Sequence, residues 1–132
     1  MSIKVAVAVG ELLDKITILE IKASRLTDPA SVKSVECELS GLRIAWSDSP
    51  YADIDVASEL NALKAINERL WVIEDQIRDK DQVSCFDEQF IELAKAVYRC
   101  NDERAAIKRR LNEQTGSELR EIKSYRGHAA GD

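Results

Sequence analysis

The stretch Phe86–Leu111, FDEQFIELAKAVYRCNDERAAIKRRL, decides the fold. Its apolar residues Phe86, Phe90, Leu93, Val97, Cys100, Ile107 and Leu111 recur mostly in steps of four and three. That is the period of a helix laid against other helices. One turn departs from it. Arg104 puts a charge on the seam beside Asn101 and Asp102, and Lys108, Arg109 and Arg110 follow directly. A charge on an apolar seam costs stability unless it is paired, so this turn is the first place to look for a site.

Working outward, Ser84 and Asp87 resemble a capping pair for this helix, and Thr115-Gly116 ends it, glycine being the easiest residue to place left-handed. Before it, Leu60, Leu63, Ile66, Leu70, Ile73 and Ile77 line a helix over about Val56–Lys80, with Trp71 at its flank. Asp28-Pro29 is a helix start, and Val32, Val35, Leu39, Leu42 and Trp46 form the seam that follows. Gly41 weakens that helix and is there either for close approach or by plain tolerance. Leu12, Ile16, Leu19, Ala23 and Leu26 give a further helix over Glu11–Leu26. Ser47–Asp55 reads as a turn region anchored by Tyr51.

At the start, Ile3, Val5, Val7 and Val9 alternate with Lys4, Ala6 and Ala8, which predicts a short β-strand. Leu119–Tyr125, in the same chain or in a second subunit, can supply its partner, although Leu119–Lys123 reads equally well as helical. The fold class expected is therefore all-α, a bundle of long-helix hairpins with a short N-terminal strand. It is one domain over 1–125 with a flexible tail over 126–132. The helices have roughly 16, 18, 25 and 28 residues, the last two about 35 to 45 Å long. The shorter pair is too short to cover the longer one, which predicts a homodimer.

Composition narrows the function classes. No apolar run approaches the roughly 20 residues of a membrane span, and Met1–Gly10 lacks the pattern of a secretory signal. Cys37, Cys85 and Cys100 lack metal-ligand spacing and read as thiols in a reducing compartment, so a cytoplasmic protein is expected. Asp48–Glu92 holds 12 acids and 4 bases, which leaves 12 acids and 15 bases elsewhere. The net charge of -5 and the lack of aromatic interleaving in Arg104–Arg110 argue against nucleic acid. No cofactor is expected: there is no glycine-rich phosphate loop, His128 lies in the tail, and no His/Cys/acid cluster marks a metal.

Several segments together resemble a family of small uncharacterised bacterial proteins, catalogued as a domain of unknown function. They are GELLDKITILEIK over Gly10–Lys22, Asn67–Trp71, Ile73–Asp75, Ile77-Arg78, VYRCNDERAAIKR over Val97–Arg109, Gly116–Leu119 and Lys123–Tyr125. The resemblance covers nearly the whole chain. It implies no activity and no residue role. Members sometimes lie near genes for glycosyl transfer or polysaccharide synthesis, which implies a link to surface carbohydrate.

Ten residues are candidates for ligand binding or for a buried polar network: Glu11, Lys15, Lys22, Glu74, Asp75, Arg78, Asn101, Asp102, Arg104 and Lys108. Glu11, Lys15, Ile18 and Lys22 share a helical stripe, either a solvated face or one wall of a polar pocket. Asn101, Arg104 and Lys108 share a face of the last helix. Glu74 or Asp75 is the expected partner of Arg104, and Glu74 and Arg78 can pair four apart. Without such pairing, Arg104 offers a planar fork and Lys108 a point charge to a phosphate or carboxylate, as in helical chorismate mutases by analogy only. Glu11 with Asp14, and Glu88 with Glu92, weakly echo the magnesium-holding acid pairs of helical pyrophosphohydrolases.

Two functions follow. The first is a helical interaction or adaptor protein. The second is a small enzyme or binding protein for an anionic metabolite. Closed ion pairs with an apolar outer patch favour the first. An open cleft on which Lys15, Arg104 and Lys108 converge favours the second.

Overall fold

The computed structural model describes residues 1–120. Among them are four helices, α1 (Val9–Arg25), α2 (Pro29–Ser47), α3 (Ala57–Gln82) and α4 (Glu88–Thr115), and no strand. The tail over 126–132 and most of the expected strand partner, 121–125, lie outside the described residues. The strand itself is not formed among them. Met1–Val7 is exposed and irregular, and Val9, expected to end the strand, opens α1 instead. Alternating β-branched residues make a strand only with a neighbour to take their backbone hydrogen bonds.

The helix ends follow their local chemistry. The Asp28 carboxylate accepts from the Ser31 backbone N–H at 3.0 Å and from its hydroxyl at 2.7 Å, while Pro29 sits in the first turn. Asp87 caps α4 by accepting from the Phe90 N–H at 2.9 Å. Ser84 is not part of that cap. It takes a left-handed φ of 53° in the α3–α4 turn. Gly116 ends α4 left-handed at φ 69° and donates to the Asn112 and Glu113 carbonyls.

The first turn of α1 has no cap of its own, because Ala8 precedes it. The far end of the chain supplies one. The Val9 N–H donates to Ser117 Oγ at 3.0 Å and the Gly10 N–H to Asn112 Oδ1 at 2.7 Å. This holds the helix start tight against α4. A Cβ on Gly10 would lie 2.6 Å from the Lys108 carbonyl oxygen, whereas one on Gly41 would meet nothing within 4 Å. The close approach is therefore at Gly10, and Gly41 is simply tolerated.

α1 is the hub. α3 and α4 form one hairpin, α1 and α2 another, and α1 packs on α3 and on α4. Leu13, Ile16, Leu19 and Ile21 of α1 are buried, with Leu63, Ile66, Leu70 and Ile73 of α3 and Cys100, Ile107 and Leu111 of α4. Cys100 thus serves packing. Tyr51 is half-buried against this core, as expected of the turn's anchor.

The hairpin outruns its cover. Between Ile73 and Cys100 no residue is buried. At 1.5 Å per residue, the last turns of α3 and the first turns of α4 project as a two-helix arm of about 13 to 18 Å. Its inner seam of Ile77, Phe90, Leu93 and Val97 is only half-buried. Val83, Phe86, Ile91 and Tyr98 stand exposed on it. The turn is stiffened by Lys80, whose ammonium lies 3.1 Å from both Asp87 carboxylate oxygens.

Candidate functional site

Where α1, α3 and α4 meet, the apolar packing is interrupted once from each helix. Asp14, Asn67 and Arg104 each occupy a four-three step of their own helix, in Gly10-Asp14-Thr17-Ile21, Leu63-Asn67-Leu70 and Cys100-Arg104-Ile107. Geometry on a 3.6-residue turn therefore aims all three inward. Asp14 is 1% exposed. Arg104 grips it at two points: Nε donates to Oδ1 at 2.9 Å, and Nη2 donates to Oδ2. Asn67 Nδ2 donates to Asp14 Oδ1 and to Thr17 Oγ1, both at 2.9 Å. Thr17 Oγ1 donates to the Asp14 carbonyl at 2.7 Å. Among the described residues every buried side-chain nitrogen and oxygen has a hydrogen-bond partner, which is what a buried ion pair needs to be tolerated.

The expected pairing of Arg104 with Glu74 or Asp75 is thus corrected. Asp14 takes it, because its carboxylate sits behind the guanidinium at the helix junction. Seen only as half of an acid pair with Glu11, Asp14 had no assigned partner. Its burial against Arg104 also removes the reading of that pair as a metal holder. Among the described residues no group of three His, Cys, Asp or Glu side chains is placed to hold a metal ion.

The other bases close as well. Lys108 Nζ lies 2.7 Å from Glu11 Oε2, and Lys15 Nζ 3.0 Å from Glu38 Oε2. Lys15, Arg104 and Lys108 therefore do not converge on an open cleft. Arg78 and Glu74 approach at 3.7 Å as the four-residue spacing suggested, both well exposed. Asp102 is exposed and lies outside the cluster.

Beside the polar cluster a cleft of about 480 Å³ opens between α1, α3 and α4. Six of the ten candidates line it: Lys22, Glu74, Asp75, Arg78, Asn101 and Arg104. Ile18, Ile21, Leu70 and Trp71 supply its apolar wall, and Arg25 lies over the Trp71 ring with its guanidinium carbon 5.8 Å from the ring centroid. Sequence reasoning missed Asn67, whose amide reaches both the cleft and Asp14. The signal was there, since Asn67 is a polar residue on the Leu63–Leu70 seam. A second, wider groove of about 760 Å³ runs along α1 and α2, and within it Glu20 pairs with Arg43 at 2.7 Å and with Lys64 at 3.4 Å.

The fold and this site define a small helical protein with one charged cluster at the junction of three helices, beside an open cleft. The chain belongs to a family of unknown function, DUF6165, whose family model matches residues 3–130. No curated protein and no solved structure matches it. Among the described residues no helix is long and apolar enough to cross a membrane.

Proposed function

We propose that the protein is a homodimeric interaction module that works through the projecting α3–α4 arm. One observation carries this reading: from Glu74 to Arg99 the arm buries no residue, while Val83, Phe86, Ile91 and Tyr98 are exposed along it. Apolar side chains gathered on one projection mark interaction surfaces more often than scattered ones do. The closed pairs of Lys15, Lys108 and Arg104 support the same reading.

The occupant is a second copy. Two uncovered helical hairpins complete each other as a four-helix bundle, burying both half-exposed seams at once. Charge sets the direction. Residues 48–92 carry 12 acids and 4 bases, the rest of the chain 12 acids and 15 bases. Antiparallel arms bring the acidic tip of each copy to the more basic half of the other, and parallel arms would oppose two acidic tips. A setting in surface carbohydrate synthesis comes from the family resemblance alone.

Light scattering coupled to size exclusion tests this on the wild type and on a Phe86→Glu, Ile91→Glu variant. A dimeric wild type and a monomeric variant of unchanged helical content are expected. A monomeric wild type, or a dimer that survives both charges, overturns the proposal.

A further inference from the structure

We infer that the cleft between α1, α3 and α4 is a binding site for a small zwitterion with an apolar ring, the chemistry of an aromatic amino acid. Glu74, Asp75 and Arg78 of this cleft stand at the base of the arm, but the inference does not rest on dimerisation. The cleft presents both signs of charge: Lys22 from α1 and Arg78 from α3 against Glu74 and Asp75, also of α3. Lys22 is half-buried, and among the described residues no carboxylate lies within ion-pair distance of it. An ammonium lining a cleft is stabilised by an incoming carboxylate.

The acids set the other requirement. A ligand of negative charge alone would meet Glu74 and Asp75 as well as Lys22, so the balance of the cleft favours a molecule with an ammonium at its second end. Glu74 and Arg78, 3.7 Å apart and both well exposed, are held together only weakly and can separate to meet opposite ends of a ligand. One turn before Glu74 on the same helix, Leu70 and Trp71 form an apolar wall suited to a ring. A volume of about 480 Å³ accommodates an amino acid or a short peptide end.

Isothermal titration and thermal shift with L-phenylalanine test the inference, with phenethylamine and N-acetyl-phenylalanine as analogues lacking one charge. Arg104 also holds Asp14, so the residues to vary are Lys22 and Glu74. Phenylalanine is expected to bind and to raise Tm, with each analogue weaker by about tenfold or more. Lys22→Ala should weaken phenylalanine about tenfold and leave phenethylamine little changed. Glu74→Gln should do the reverse, sparing N-acetyl-phenylalanine. The absence of any phenylalanine response, equal binding of either analogue, or affinity indifferent to Lys22→Ala would each overturn it.

Discussion

Asp14 of α1 and Arg104 of α4, 90 positions apart in sequence, form a two-point ion pair at the junction of three helices. Asp14 is 1% exposed and the Arg104 side chain 28%. Removing one partner strands a buried charge, which costs about 3–5 kcal/mol, whereas replacing both with apolar groups is often close to neutral. Arg104→Ala should therefore lower unfolding stability by about that amount in urea. Arg104→Lys should not restore it, since an ammonium lacks the fork. The double variant Asp14→Leu, Arg104→Met should be more stable than either single one. Single variants within about 1 kcal/mol of wild type would contradict the pairing.

The two helical glycines give opposite expectations. Gly10→Ala puts a Cβ 2.6 Å from the Lys108 backbone oxygen, so α1 and α4 must part; a loss of about 1–3 kcal/mol is expected. Gly41→Ala meets nothing within 4 Å and should gain about 0.5–1 kcal/mol from helix propensity. Thermal unfolding of both variants checks this, and a stabilising Gly10→Ala would contradict the close approach.

The cap on α1 comes from 102 positions away. Asn112→Ala leaves the Gly10 N–H without its acceptor in a buried place, at a cost of about 1–3 kcal/mol. Amide exchange should show the loss first at the start of α1. An unchanged Gly10 amide would rule out the long-range cap.

Much of the architecture was legible because helix ends and seams are local. Asp28-Pro29, Asp87 and Thr115-Gly116 set three boundaries, and the period of four and three gave each helix. Arg104 was legible as an inward charge for the same reason. Asp14 was not, because the seam read for α1, Leu12 to Leu26, was followed through apolar residues and so passes over a carboxylate. A helix packed by three others has several inward faces, and Asp14, Thr17 and Ile21 lie on one that this seam leaves out. Gly10 was legible only as a boundary, since close approach depends on a helix about a hundred residues away. The alternation of Ile3, Val5 and Val7 could show a propensity but not a partner.

Acid should loosen the α3–α4 turn. The Phe90 backbone N–H, and then the Lys80 ammonium, hold the Asp87 carboxyl below its ordinary value of 3.8. A depressed folded-state pKa gives stability that is fully present above 3.8 and is lost as pH falls through the folded value. Asp87 in turn raises the Lys80 pKa above 10.5, so that side of the contact is present below 10.5 and lost as pH rises through the folded value. Asp87→Asn should be less stable than wild type at neutral pH. The gap should shrink below about pH 3.8. A gap independent of pH would show that the charge contributes nothing.

Hydrogen–deuterium exchange of the arm, followed against protein concentration, tests the central claim most directly. Exchange reports local opening, and a seam covered by a second copy opens less often. Residues 74–99 should become protected as concentration rises, while Leu63–Ile73 and Cys100–Leu111 stay equally protected throughout. An arm that exchanges at the same rate at every concentration, or protection that grows elsewhere on the molecule, would contradict the account.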